Sequence, residues 1–188
     1  MSEPGGVLEQ AIRAIGRLQT MSSTLLDYEA AESGSIHLDI HPFPLSAALK
    51  ECVAFYRPYA EQKKIRLVLE GDARGVTVAG DRVKVMEILD NLVYNALKFT
   101  PSHGTIRLSG RKEDGNAVIC VSDSGAGIPK EKLKKIFDPK MVATHDSHAR
   151  LGLGLTICKR LVEAQKGKIR IESALGEGTQ VHFSLPVD

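Results

Sequence analysis

Between Val7 and about Glu32 the apolar residues Leu8, Ala11, Ile12, Ile15, Leu18, Met21, Leu25 and Leu26 recur every three or four positions, the spacing of one helical face. The stripe runs close to a heptad seam and predicts an amphipathic helix that packs on another helix, such as that of a second subunit in a homodimer. "ESGS" then carries a glycine stop, and "HPFP" an extended stretch, because each proline drives the preceding residue out of the helical region. These signals divide the chain into a helical segment over residues 1–34, a linker over 35–44 and a domain over 45–188.

Within that domain, Leu45 to Lys63 has helical spacing with a kink or interruption expected at Pro58, and "IRLVLEG" alternates as a strand does. Asp81 is placed to cap a helix over 82–99 whose inward face is Val85, Ile88, Leu89, Leu92 and Leu97. "TIRLSGRKEDGNAVICVSD" reads as a hairpin turning at Asp114-Gly115. Leu153 to Glu163 predicts a further helix and "KIRIESALGEGTQVHFSLP" a second hairpin. Helices and hairpins alternate without a regular strand–helix–strand rhythm. The pattern points to an α+β fold, a two-layer sandwich in which helices cover one face of a mixed sheet.

Composition narrows the function classes. The 188 residues, 43% of them hydrophobic, suit one domain with a short extra element. With 25 Lys+Arg against 23 Asp+Glu, the chain has no broad basic field for nucleic acid. Cys52, Cys120 and Cys158 are odd in number and widely spaced, fitting neither a disulfide framework nor a zinc knuckle. The start "MSEPGGVLEQ" lacks a signal pattern, and no apolar run is long enough to span a membrane. A cytoplasmic location is expected, for this segment at least.

Three stretches carry candidate chemistry. In "EILDNLVYNALKFTP", Asn91, Asn95 and Lys98 lie along one helical stripe. An amide oxygen is a hard donor suited to Mg²⁺ and an ammonium suits phosphate, although a solvated polar face has the same composition. "VSDSGAGIP" ends a strand at Asp123 and follows it with Gly125 and Gly127. An aspartate there can accept from an exocyclic amine and so select a purine; the same residues also make an ordinary turn. "RLGLGLTICKRL" sets Gly152 and Gly154 before a helix, where free N–H groups favour phosphate.

In this order and spacing, the three stretches resemble the nucleotide-binding boxes of the GHKL ATPase superfamily, and "NLVYNALKFTP" is specifically similar to sensor histidine kinases. The resemblance runs from about Leu45 to Pro186 and includes the closing hairpin with Gly176, Gly178 and Thr179. Upstream, "LQTMSSTLLDYEAAESG" looks like the second helix of the kinases' dimerisation hairpin. The resemblance implies a Bergerat-type ATP-binding fold, ATP and Mg²⁺ as cofactors, and transfer of the γ-phosphoryl group to a histidine. It implies that Asn95 ligates Mg²⁺, that Asn91 beside it supports the metal or the phosphates, and that Lys98 neutralises phosphate oxygens. Asp123 would read the adenine amino group in a pocket shaped by Gly125, Gly127 and Ile128. Arg150, Leu151, Gly152, Leu153, Gly154 and Leu155 would wrap the phosphates, Thr179 would reach the adenine side through water, and Lys130 to Arg150 would form a lid.

Superfamily members that hydrolyse ATP commonly carry a glutamate where Asn91 stands, and an amide cannot take a proton. Transfer is therefore favoured over fast hydrolysis. Two positions depart from the family pattern: Lys140, where an aromatic is usual after "IFDP", and Arg150, where a glycine is usual. None of the six histidines stands in a phosphoacceptor context resembling H-E-x-x-x-P. His37 and His41 are in the linker, His103 follows "FTPS", His145 and His148 are in the lid, and His182 is in the last strand. An acceptor helix supplied from elsewhere and a response regulator are the implied partners. Two other classes stay open: a degenerate kinase-like scaffold acting by partner docking, and a slow ATPase or anti-sigma-type serine kinase.

Overall fold

The structure, a computed structural model, describes residues 36–138 and 154–188. The amphipathic helix and dimer seam expected over residues 7–32 lie outside these residues, as do the expectations for Lys140, His145, His148, Arg150, Leu151, Gly152 and Leu153. In chain order the elements are β1 (His41–Pro44), α1 (Leu45–Gln62), β2 (Arg66–Asp72), β3 (Thr77–Gly80), α2 (Arg82–Phe99), β4 (Thr105–Glu113) and β5 (Asn116–Asp123). They continue with α3 (Lys130–Leu133), α4 (Gly154–Ala164), β6 (Lys168–Ala174) and β7 (Gly178–Pro186).

Five strands form a sheet in the order β2-β4-β5-β7-β6, with β2 parallel to β4 and the other pairs antiparallel. Strand alternation sends Ile106, Leu108, Ile119, Val121, Val181, Phe183 and Leu185 to one side. There they are buried with Leu45, Leu49, Ile88, Leu89, Ile157 and Leu161 of the helices. The other side carries polar pairs such as Arg107–Glu70 at 2.8 Å and Arg170–Glu172, half exposed and of small energetic weight. The sandwich expected from the element pattern, a mixed sheet covered by helices on one face, is the observed architecture. Asp114 (φ 49°) and Gly115 (φ 73°) make the β4–β5 turn with two left-handed residues, which matches the twist of the strands.

Helix α2 begins where expected, at Asp81, whose Oδ1 accepts the Lys84 N–H at 3.1 Å. Its five anticipated inward residues are all buried. The same start is fastened from two more directions. Gln165, only 3% exposed, accepts the Asp81 N–H at 2.8 Å and donates to the Leu161 carbonyl at 3.0 Å. The Asp39 N–H reaches Asp81 Oδ2 at 3.0 Å.

That last bond bears on the expected linker. His41–Pro44 is extended, as the prolines require, but it pairs antiparallel with β3, and Phe43 is buried. The folded unit therefore includes β1 and does not begin at Leu45; neither β1 nor β3 has a sequence pattern long enough to announce it. Pro58 does not interrupt α1, which runs through it. Pro58 and Ala54, whose carbonyl loses its helical donor, are both exposed, which leaves this side of the helix open to solvent. The expected lid starts with the short helix α3 followed by turns through Phe137.

Replacing Gln165 with alanine strips the buried Asp81 N–H of its acceptor. The expected loss is about 1–3 kcal/mol of unfolding free energy, read as a lower urea midpoint with an unchanged slope.

Candidate functional site

A cleft of about 360 Å³ opens between α2 and the end of the sheet nearest Asp123. That size is in the range of small-molecule pockets. Asn91, Asn95 and Lys98 line it from α2, and Asp123 and Thr179 from the sheet. Gly127 and Ile128 enter from the loop after β5, Gly154 and Leu155 from the start of α4. Nine of the residues singled out from sequence thus share one cavity. Gly125 stands just behind them, with its N–H on Asp123 Oδ1 at 2.7 Å. Leu92, Val121, Ile136, Ile171 and Val181 supply apolar wall, and Tyr94, Phe99 and Lys132 also line the cleft.

The floor is a single row across the sheet. Strand register aligns Leu67 with Ile106, Ile106 with Asp123, Asp123 with Thr179, and Thr179 with Ser173, and directly opposed residues face the same side. The row passes from hydrocarbon to carboxylate to hydroxyls on the core-facing side. Burial pushes the Asp123 carboxyl up from its ordinary pKa, while the backbone N–H groups of Gly125 and Thr179 pull it down. Ionised, it offers the cleft only acceptors.

Two glycines make this corner possible. Gly127 has φ 70°, and a β-carbon on it would lie 1.9 Å from the Ala174 carbonyl oxygen. Gly178 has φ 85°, and its β-carbon would lie 1.9 Å from the Asp123 carbonyl oxygen. Both require the left-handed region and close backbone approach together. The approach is secured by Gly176 N–H on the Ala126 carbonyl at 2.9 Å and Ile128 N–H on Ser173 Oγ at 2.8 Å.

On the helix side, Asn91 is 5% exposed and its Nδ2 donates to the Glu87 carbonyl at 3.1 Å. That bond fixes the amide orientation and leaves Oδ1 facing Gly154, whose β-carbon position lies 3.1 Å away. The atom left without a hydrogen bond from its own helix is thus a hard oxygen donor, which suits Mg²⁺. Lys98 extends its ammonium over the Phe99 ring at 5.1 Å on the same stripe. At the far side Thr156 Oγ1 donates to the Phe137 carbonyl at 3.0 Å, so the chain on the two sides of residues 139–153 is tied together.

The family described as histidine kinase-, DNA gyrase B-, and HSP90-like ATPase matches residues 80–188. The chain belongs to that family. Among relatives, the autoinducer 2 sensor kinase/phosphatase LuxQ of Vibrio parahaemolyticus is 37% identical over 180 residues, covering 90% of this chain and 21% of LuxQ. The chain thus spans about a fifth of that relative's length. Among solved structures, the catalytic domain of the histidine kinase ThkA superposes with a TM-score of 0.71 at 27% identity, over 79% of this chain and 95% of ThkA's. ThkA in complex with the response regulator TrrA gives 0.74 at 25% identity, over 100% of this chain and 53% of that one. Full-length ShkA in complex with AMPPNP gives 0.80 at 25% identity, over 100% and 40%. The matched range contains the stretches Asn91–Lys98, Asp123–Ile128 and Gly176–Thr179.

Ser173 is the polar residue that sequence reasoning passed over. Its signal was present: a hairpin turning at Leu175 to Glu177 opposes Ser173 to Thr179 by register alone.

Gly127→Ala must push the loop off β6. We expect a destabilisation of about 1–3 kcal/mol and faster amide exchange at Ile128, measured by urea unfolding and hydrogen exchange.

Proposed function

We propose that this chain is the ATP-binding catalytic domain of a sensor histidine kinase and transfers the γ-phosphoryl group of Mg·ATP to a histidine presented to it from outside its own six. The observation that carries this reading is the convergence of Asn91, Asn95 and Lys98 with Asp123 and Thr179 in one cleft. Asp123 accepts from the adenine amine, and the loop of Gly125, Gly127 and Ile128 closes around the ring. Asn95 and Asn91 hold Mg²⁺ by their amide oxygens, and Lys98 meets the phosphates. When bound, Mg²⁺ supplies charge neutralisation on the phosphate oxygens.

The residues present ask little more of the chemistry than position and charge. An imidazole nitrogen attacks the γ-phosphorus in line, the bond to the β–γ bridging oxygen breaks, and ADP leaves. Among the described residues that line the cleft, Asp123 is the sole carboxylate, and it belongs to the sheet floor rather than to α2. No general base for water stands on α2 there, which supports transfer over hydrolysis. The ShkA complex with AMPPNP and the ThkA complex with TrrA support nucleotide as ligand and a response regulator as downstream partner. The three cysteines are free and buried, and no described helix is long and apolar enough to cross a membrane; a reducing cytoplasmic setting fits both.

Calorimetric titration with a non-hydrolysable ATP analogue tests the site. Asn95→Ala is expected to abolish the magnesium-dependent part of binding, and Asp123→Asn to weaken binding by about 1.5–3 kcal/mol, roughly 10- to 150-fold in Kd. Unchanged affinity in both variants removes the site as drawn. Transfer itself is tested by following phosphate from labelled ATP to an added kinase dimerisation hairpin carrying its histidine; a signal absent from the Asn95→Ala variant is expected.

Acid is a second probe. Because burial raises the Asp123 pKa, the carboxyl takes up its proton at a higher pH than an ordinary aspartate and then presents a donor in place of an acceptor. Affinity for the analogue should fall as the pH drops through that raised value and stay flat above it. An affinity that does not change as the Asp123 carboxyl takes up its proton contradicts the assignment.

A further inference from the structure

Resting on the nucleotide reading above, we infer that Ser173, half-buried behind the cleft wall, is a positioning residue that fixes the Thr179 hydroxyl as a pure acceptor and thereby adds to selection for a ring amine over a ring carbonyl. Ser173 Oγ lies 2.6 Å from the Gly178 carbonyl oxygen, 2.8 Å from the Ile128 nitrogen and 3.0 Å from Thr179 Oγ1. A serine hydroxyl has one proton and two lone pairs. The Gly178 carbonyl can only accept, so at 2.6 Å it takes that proton. The Ile128 N–H can only donate, so it takes one lone pair. What remains on Ser173 is a single lone pair, and Thr179 can satisfy it only by donating its own proton.

The consequence appears on the other side of Thr179. Its hydroxyl proton points away from the cleft toward Ser173, and its lone pairs face the cavity that it lines together with Asp123. Asp123 is likewise an acceptor when ionised, with Oδ1 already holding the Gly125 N–H. Two neighbouring acceptors on one row accommodate a ligand edge rich in N–H, or a water that donates. A carbonyl oxygen placed against them meets lone pairs on both. Asp123 alone discriminates in this way, and the serine removes the escape in which Thr179 would rotate its proton into the cleft to welcome the carbonyl. Ser173 itself is not among the residues lining the cleft, so it acts through Thr179.

The test is the ratio of Kd for ITP to Kd for ATP, measured by calorimetry on the full chain with magnesium. ITP carries a ring carbonyl where ATP carries the amine and an N1–H where ATP carries a bare nitrogen, so purine riboside triphosphate, which keeps the bare nitrogen and lacks both amine and carbonyl, is titrated beside it to separate the two changes. In wild type the ratio should exceed one. Ser173→Ala frees the Thr179 proton and should narrow the ratio by about five- to ten-fold, the equivalent of one hydrogen bond. Ser173→Thr keeps the hydroxyl and should restore it. Thr179→Val removes the fixed acceptor but leaves the Ser173 bonds to Gly178 and Ile128, so it too should narrow the ratio, and adding Ser173→Ala to it should change nothing further. If Ser173→Ala does not fold by circular dichroism, Thr179→Val carries the test. ATP binding with an unchanged ratio in these variants overturns the inference and leaves the nucleotide reading standing. No nucleotide binding by wild type overturns both.

Discussion

A carboxylate set beside core residues on the helix-facing side of the sheet is the constraint on which the site depends. Asp123 shares its side of the sheet with Ile106 and Val121, so its desolvation is inherent in the strand pattern. Backbone N–H groups of Gly125 and Thr179 offset part of that cost. Reaching it with backbone demands that the chain fold back within two residues and that β7 start against the Asp123 carbonyl. Gly127 and Gly178 stand where a side chain would block those approaches. The setting of the Asp123 carboxylate and the shape of the corner therefore come from the same residues.

Helix α2 meets the corner with two functions on two faces. One face, with Ile88, Leu89 and Leu92, belongs to the core, and its start is locked by Asp81 and Gln165. The adjoining stripe presents Asn91, Asn95 and Lys98 to the cleft. Fixing the start of a helix fixes the height of residues three turns along it, so a joint far from the cleft sets the placement of its polar stripe. The bond from Asp39 to Asp81 brings the chain entering the domain into that same joint.

Much of this was legible in the sequence. The helix at 82–99, its cap and its inward residues follow from period and capping chemistry, and the hairpin at Asp114-Gly115 from its turn residues. Less legible were β1 and β3, four residues each, whose pairing is a tertiary event with no periodic signal of its own. The helix is not interrupted at Pro58, because proline's cost depends on whether water can reach the orphaned carbonyl, which is a matter of exposure and not of sequence. Of the residues lining the cleft, Asn91, Asn95, Lys98, Asp123, Gly127 and Gly154 could be named from motif and spacing, and Ile128, Leu155 and Thr179 only from the family resemblance. The place of Ser173 opposite Thr179 follows from the hairpin register, but its hydrogen bonds to Ile128, Gly178 and Thr179 depend on distances that the sequence does not carry.

The most direct test of the account is nuclear magnetic resonance of the ¹⁵N-labelled chain with an ATP analogue and Mn²⁺ in place of Mg²⁺. The account predicts nucleotide-dependent paramagnetic broadening centred on the side-chain amides of Asn91 and Asn95, with shifts but weaker broadening at the Gly125, Gly127 and Thr179 amides. Broadening centred elsewhere, or the same spectrum with and without nucleotide, would contradict it.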